Sequence, residues 1–236
     1  MIEAKWWKGQ LITLDARSGD IGGSWQWHDT DGKVLAYDCN LVKFFYEKTL
    51  SIENPYVVDV GASTGSFTLL PLLHLGMKVL SFEPNPLAFE VLRSNIGLHN
   101  LGNRVQLCQA ALMDKSGTGT LKVPVPDIHA AVSSLGNPRP RGFIWTEMYV
   151  EVRCLDDYDI SPDFIKIDTE GAELMVLHGA ENTIKRSRPS LLIEYQELNT
   201  RQFGYEPIEI IRLLESWGYD SFKPIGMEDM WISKRS

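Results

Sequence analysis

From Pro55 onward the chain repeats one unit: a short apolar strand, a turn of small residues, then an amphipathic helix. Parallel strands need a crossover of this kind, and a helix on each crossover covers both faces of the sheet. The spacing predicts strands over 56–60, 78–82, 105–109, 164–167 and 190–193, and helices over 66–74, 87–99, 172–178 and 207–216. A terminal pair, 219–222 with 230–233, is predicted to close one edge as an antiparallel hairpin. The expected fold is therefore α/β, a doubly wound and mostly parallel sheet. Between Gly119 and Arg153 the rhythm breaks into two β segments, 120–125 and 148–153, around a loop rich in Pro, Gly, Ser and Arg.

Residues 1–50 read differently. Short apolar runs at 10–14, 24–28 and 34–37, with Asp31-Gly32 as a hairpin turn, predict a small β-rich N-terminal extension in which Trp25 and Trp27 cover the core. A helix over 40–50, capped by Asn40, leads into a catalytic domain spanning 51–236. A chain of 236 residues buries a full core without disulfides or a metal.

The most informative segment is Val57-Val58-Asp59-Val60-Gly61-Ala62-Ser63-Thr64-Gly65, an apolar strand entering a glycine turn. In open α/β sheets ligands bind beyond the carboxyl ends of the strands, and glycine lets the backbone approach them. A dinucleotide site requires GxGxxG, and the second glycine, which admits the pyrophosphate, is absent here. A nucleoside without a diphosphate fits better, and S-adenosyl-L-methionine is the common one. Gly61, Ala62, Ser63 and Gly65 become its expected contacts, with Asp59 facing its cationic amino acid end directly or through water.

At the end of the next strand, in Phe82-Glu83-Pro84-Asn85-Pro86, Glu83 is placed to accept hydrogen bonds from both ribose hydroxyls, with Pro84 beside it. Ala110 and Ala111 follow the third strand, where small residues leave room for an adenine ring or simply reflect tight packing. The fourth strand runs into Ile167-Asp168-Thr169-Glu170-Gly171-Ala172-Glu173. Asp168 and Glu170 are the expected general bases for a hydroxyl acceptor, and Glu194 with Tyr195, ending the fifth strand, are placed to orient it. Glu173 reads as a helix-start cap. An all-oxygen set of Asp168, Glu170 and Glu194 also suits Mg2+, which the spacing alone does not establish. None of the five histidines forms a ligand spacing, and His129 sits in the irregular loop.

The formal charge of −8 disfavours nucleic acid as a partner. Cys39, Cys108 and Cys154 show no paired spacing, no apolar run is long enough to span a membrane and no leader pattern opens the chain, so a cytoplasmic setting is expected. A nicotinamide-dependent oxidoreductase and a non-catalytic nucleoside-binding protein are the competing readings. The first needs the diphosphate turn that is missing, and the second makes no use of the acids around Asp168.

Together the motifs resemble the FkbM-type methyltransferases, class I S-adenosylmethionine-dependent enzymes that are mostly O-methyltransferases. The resemblance spans roughly 55–195. It rests on Val58-Asp59-Val60-Gly61-Ala62 with Gly65, on Phe82-Glu83-Pro84-Asn85-Pro86, on Leu155-Asp156, and above all on Ile165-Lys166-Ile167-Asp168-Thr169-Glu170-Gly171-Ala172-Glu173 continuing to Gly179-Ala180. Arg188-Pro189 and Ile193-Glu194 extend it. It implies a Rossmann-like, seven-stranded sheet with the last strand antiparallel, cofactor contacts at Gly61 and Glu83, and methylation of a hydroxyl on a sugar or natural product. The N-terminal extension and the loop over 126–141 lie outside the resemblance and are expected to select the small-molecule or glycan acceptor.

Overall fold

The computed structural model describes residues 1–5, 11–15, 17, 27–28, 34–35, 39–125, 131–138 and 142–233. Its centre is a seven-stranded sheet built from β5 (Tyr56–Val60), β6 (Lys78–Phe82), β7 (Val105–Cys108), β11 (Phe164–Ile167), β12 (Ser190–Glu194), β13 (Ser221–Ile225) and β14 (Asp229–Ser233). They lie in the order β13-β14-β12-β11-β5-β6-β7. Six run in one direction, and β14 runs antiparallel to its neighbours β12 and β13. Topology thus reverses between β5 and β11, the place where such sheets open a crevice at their carboxyl edge.

Period-two alternation divides the side chains between two cores. Val57, Val79, Phe164, Leu192 and Trp231 face one layer with Val42 and Phe45 of α1 (Cys39–Thr49). Val58, Leu80, Ile165, Ile193 and Ile232 face the other, which takes in Leu177 of α3 (Glu173–His178), Ile184 of α4 (Glu181–Ser187) and Ile210 of α6 (Ile208–Ser216). Helix α2 (Pro86–Leu98) starts cleanly because Pro86 gives up no needed donor and the Asn85 side chain accepts from the Leu87 N–H at 3.0 Å.

The helix expected over 66–74 is not formed. Pro71 has no N–H to close an α-turn, and the chain makes turns and one 3-10 turn, Leu70–Leu72, in its place. Helix α1 opens at Cys39, one residue before Asn40. The terminal hairpin forms two residues further along at its first strand than expected. At the N-terminus β1 (Ile2–Lys5), β2 (Leu11–Leu14), β3 (Trp27–His28) and β4 (Val34–Leu35) make a four-stranded sheet in the order β2-β1-β4-β3. Ile12 and Leu14 enter the first core, and Asn95 of α2 accepts from the Asp15 N–H at 2.7 Å. Trp25, the Asp31-Gly32 turn and His129 lie outside the described residues, as does the side chain of Trp27.

The interrupted region is a third sheet, in which β9 (Gly117–Val125) pairs antiparallel with β10 (Ile144–Arg153) and β10 pairs parallel with β8 (Ala111–Leu112). Among the described residues, no helix is long and apolar enough to cross a membrane.

Candidate active site

The carboxyl ends of β5, β6, β11 and β12 open into a cleft of about 540 Å³. On one flank the turn after β5 is built around Gly61. Its φ is +77°, and a Cβ placed there would stand 1.8 Å from the backbone oxygen of Asp168, so only glycine permits β5 and β11 to end this close together. The N–H groups of Gly61 and Ala62 both donate to the Phe82 carbonyl at 3.0 Å. The turn is thereby tied to the end of β6, where Glu83 lies.

Glu83 is held by backbone alone. The Ser63 N–H donates to one carboxylate oxygen and the Asn85 N–H to the other, each at 2.8 Å. An ionised carboxylate accepts about four hydrogen bonds, so two positions remain, and the residue lines the cleft. Burial pushes its carboxyl up to about 7, against the two backbone donors that favour the charged form. Gly61, Ala62, Ser63, Pro84, Ala110 and Ala111 line the same flank.

Two expected cofactor contacts do not line the cleft. Asp59 is fully buried beneath it, because strand alternation turns its side chain into the first core, where it accepts from Thr68 Oγ1 at 2.6 Å and meets Lys166 Nζ at 3.5 Å. Gly65 faces α2, where a Cβ would come within 2.8 Å of Leu92 Cδ1. It serves helix packing.

On the other flank the turn after β11 is unusual: Glu170 and Gly171 have φ of +56° and +110°. A non-glycine residue in that region costs about 1–2 kcal/mol. Buried Glu173 offsets the cost by accepting at Oε1 from the Thr169 N–H, the Thr169 hydroxyl and the Gly171 N–H, at 2.8–3.0 Å. It ties together the turn before α3 rather than capping the helix start as expected, since that start has no side-chain cap hydrogen bond, and it leaves Asp168, with a side chain 42% exposed, at the cleft. Asp168 Oδ2 meets Lys166 Nζ at 3.4 Å.

Lys166 carried no role in the sequence reading, yet it joins the two flanks. In register Lys166 sits opposite Asp59, and Asp59 opposite Ser81, so a polar row crosses three buried strands. Lys166 Nζ donates to the Gly61 carbonyl at 2.7 Å, reaches both Asp59 and Asp168, and lies 5.5 Å from the Phe67 ring centroid. The signal was present: a lone acid in Val57-Val58-Asp59-Val60 and a lone cation in Phe164-Ile165-Lys166-Ile167 are each too costly to bury unpaired.

Glu170 and Glu194 line the cleft beyond Asp168. Asn199, from α5 (Glu197–Thr200), donates its amide nitrogen to Glu170 Oε2 at 3.0 Å and to Glu194 Oε1 at 3.1 Å. Burial, and then the carboxylates of Asp168, Glu173, Glu170 and Asp229, push the Glu194 carboxyl well above the ordinary range. The donor set of Asp168, Glu170 and Glu194 that would suit Mg2+ is not assembled as a metal site. Among the described residues no three His, Cys, Asp or Glu side chains are arranged to hold a metal ion, and an amide donor stands between the two glutamates in its place.

The stretch from Ala131 to Leu135 also reaches the cleft. Ser134 exchanges both backbone hydrogen bonds with Lys122 and donates its hydroxyl to the Glu170 carbonyl at 3.1 Å, while Asn85 donates to Ser133 Oγ at 3.2 Å. The stretch belongs to the loop over 126–141 that the sequence singled out as the expected acceptor selector, whereas Asn199 escaped the sequence reading because only a distant chain segment brings it to the strand ends.

The profile of the methyltransferase FkbM domain matches residues 59–221. The methyltransferase sdnD of Sordaria araneosa is 30% identical over 199 residues, covering 71% of this chain and 74% of the relative. The 2-O-methyltransferase NoeI of Sinorhizobium fredii is 28% identical over 192 residues, covering 74% and 77%. A solved structure of methyltransferase FkbM from Methylobacillus flagellatus superposes with a TM-score of 0.53 at 21% identity, over 76% of this chain but only 44% of that one, and so supports the fold. With its profile match and its 30% identical relative, this chain belongs to the methyltransferase FkbM domain family.

Proposed function

We propose that the protein is an S-adenosyl-L-methionine-dependent O-methyltransferase acting on a hydroxyl of a sugar or natural product. The observation that carries this reading is the pairing of Glu83 and Asp168 on opposite flanks of one cleft, with the Gly61 turn between them. Glu83 has lone pairs left for two ribose hydroxyls, Ala110 and Ala111 leave an apolar shelf for a flat base, and the left-handed turn lets the backbone come close. The relative NoeI, a 2-O-methyltransferase, supports oxygen as the acceptor atom.

When bound, the cofactor supplies an electrophilic methyl carbon. Asp168, exposed to the cleft and steadied by Lys166, would take the proton of the acceptor hydroxyl that receives this methyl group. Glu170 and Glu194, bridged by Asn199, orient the acceptor. Isothermal titration with S-adenosylhomocysteine, with NAD as the control and with and without magnesium, tests the reading. Binding of S-adenosylhomocysteine alone and without a metal requirement is expected; binding of NAD instead overturns it.

A further inference from the structure

Glu194 has a buried oxygen that the fold leaves unanswered. The residue is 9% exposed, lines the cleft, and its Oε1 is taken by Asn199, while Oε2 finds no hydrogen-bond partner among the described residues. A buried polar atom left unpaired costs about 1–3 kcal/mol, so such an atom calls for an explanation. Four further carboxylates, Asp168, Glu170, Glu228 and Asp229, line the same cleft. Among the described lining residues Lys166 is the one cation, and it is shared among Asp59, Asp168 and the Gly61 carbonyl, away from Glu194. Among the described residues the acceptor flank is thus rich in carboxylates, in a chain of net charge −8.

We infer that the acceptor carries a protonated amine close to the hydroxyl that is methylated, and that this ammonium group seats against Glu194 Oε2. The inference rests on the proposed methyltransferase reading and narrows its substrate class to amino alcohols and amino sugars. An ammonium draws the Glu194 carboxyl, which burial and its acidic neighbours hold toward the protonated form, into its ionised form, donates a charge-assisted hydrogen bond to the free oxygen and lowers the mutual repulsion of the surrounding acids, which a neutral hydroxyl does only in part. An anionic acceptor meets repulsion from every side. Glu194 lies two strands away from the Gly61 turn, about 10 Å at ordinary strand spacing, so the amine it takes is the acceptor's rather than one held at the turn.

The test uses the whole chain saturated with S-adenosylhomocysteine. Glucosamine, 2-aminocyclohexanol and ethanolamine are each titrated beside their N-acetyl and hydroxyl-only counterparts, with binding followed by calorimetry and ligand-observed NMR. At least one amine is expected to bind tenfold or more tightly than both of its neutral counterparts, and Glu194→Gln, which keeps the shape and removes the charge, is expected to reduce that preference to within twofold. The proposal is overturned if no amine is preferred by the wild-type protein, or if the preference survives in Glu194→Gln. The wild-type comparison stands even if the variant fails to fold. Absence of S-adenosylhomocysteine binding in the first titration sinks the methyltransferase reading itself, a separate outcome from absence of amine preference.

Discussion

The two flanks of the cleft are built by opposite means. On the flank of β5 and β6, the functional groups are held by backbone: Glu83 by the N–H groups of Ser63 and Asn85, and the Gly61 turn by the Phe82 carbonyl. On the flank of β11 and β12, they are held by side chains from distant parts of the chain: Asp168 by Lys166, and Glu170 and Glu194 by Asn199. The first flank leaves Glu83 two open acceptor positions toward the cleft, and its buried Asp59 Oδ1 has Lys166 as an ion-pair partner; the second leaves Glu194 Oε2 with no hydrogen-bond partner among the described residues.

This contrast breaks in different ways on the two sides. The largest effect is expected from Gly61→Ala, whose methyl group meets the Asp168 backbone rather than a side chain that can swing away. It should cost about 4 kcal/mol in denaturant unfolding, near the top of the usual range for one substitution, and abolish S-adenosylhomocysteine binding. Preserved stability would show that the flanks are not locked together at Gly61.

Asp168→Asn should lower turnover by about 100-fold or more, the usual worth of a positioned general base, while S-adenosylhomocysteine affinity in calorimetry changes by less than about threefold. Loss of affinity in proportion to turnover would move Asp168 to the cofactor side of the comparison.

The third effect is a pH dependence. Glu83 is pushed up to about 7 by burial, and ribose hydroxyls donating to it favour its ionised form. Binding should therefore lower its pKa, so affinity rises with pH through about 7 and is weaker below. Between pH 6 and 8 the ionised fraction grows about tenfold, and S-adenosylhomocysteine affinity should grow with it. Glu83→Gln should flatten that profile.

The smallest effect belongs to Asn199→Ala, which removes the donor shared by Glu170 and Glu194. A net hydrogen-bond contribution of about 1 kcal/mol predicts an acceptor KM raised about fivefold, with cofactor affinity unchanged. A matched loss on both sides would mean that Asn199 supports the whole cleft.

The flank of β5 and β6 was legible in the sequence because its geometry is local. Gly61, Ser63, Glu83 and Asn85 are brought together by two consecutive strands and their turns, and strand ends and glycine turns have short-range signatures. The misplacements there came from direction. The sequence located Asp59 and Gly65 correctly along the chain but not the face each presents, and the β-period sends Asp59 downward while Gly65 packs on Leu92. The helix expected over 66–74 failed where Pro71 interrupts it, a breaker visible in the sequence and given too little weight beside the apolar period.

By itself the sequence determined the α/β alternation, the order of the parallel strands along the chain, the glycine turn and the acids at the strand ends, because each depends on residues within a few positions of one another. Only the tertiary structure decided that Lys166 spans Asp59 and Asp168, that Asn199 joins Glu170 to Glu194 where the sequence left room for a metal, and that Glu194 keeps one oxygen unpaired. Those facts depend on strand register and on which distant segment packs above each strand end, and neither leaves a local trace in the amino-acid order.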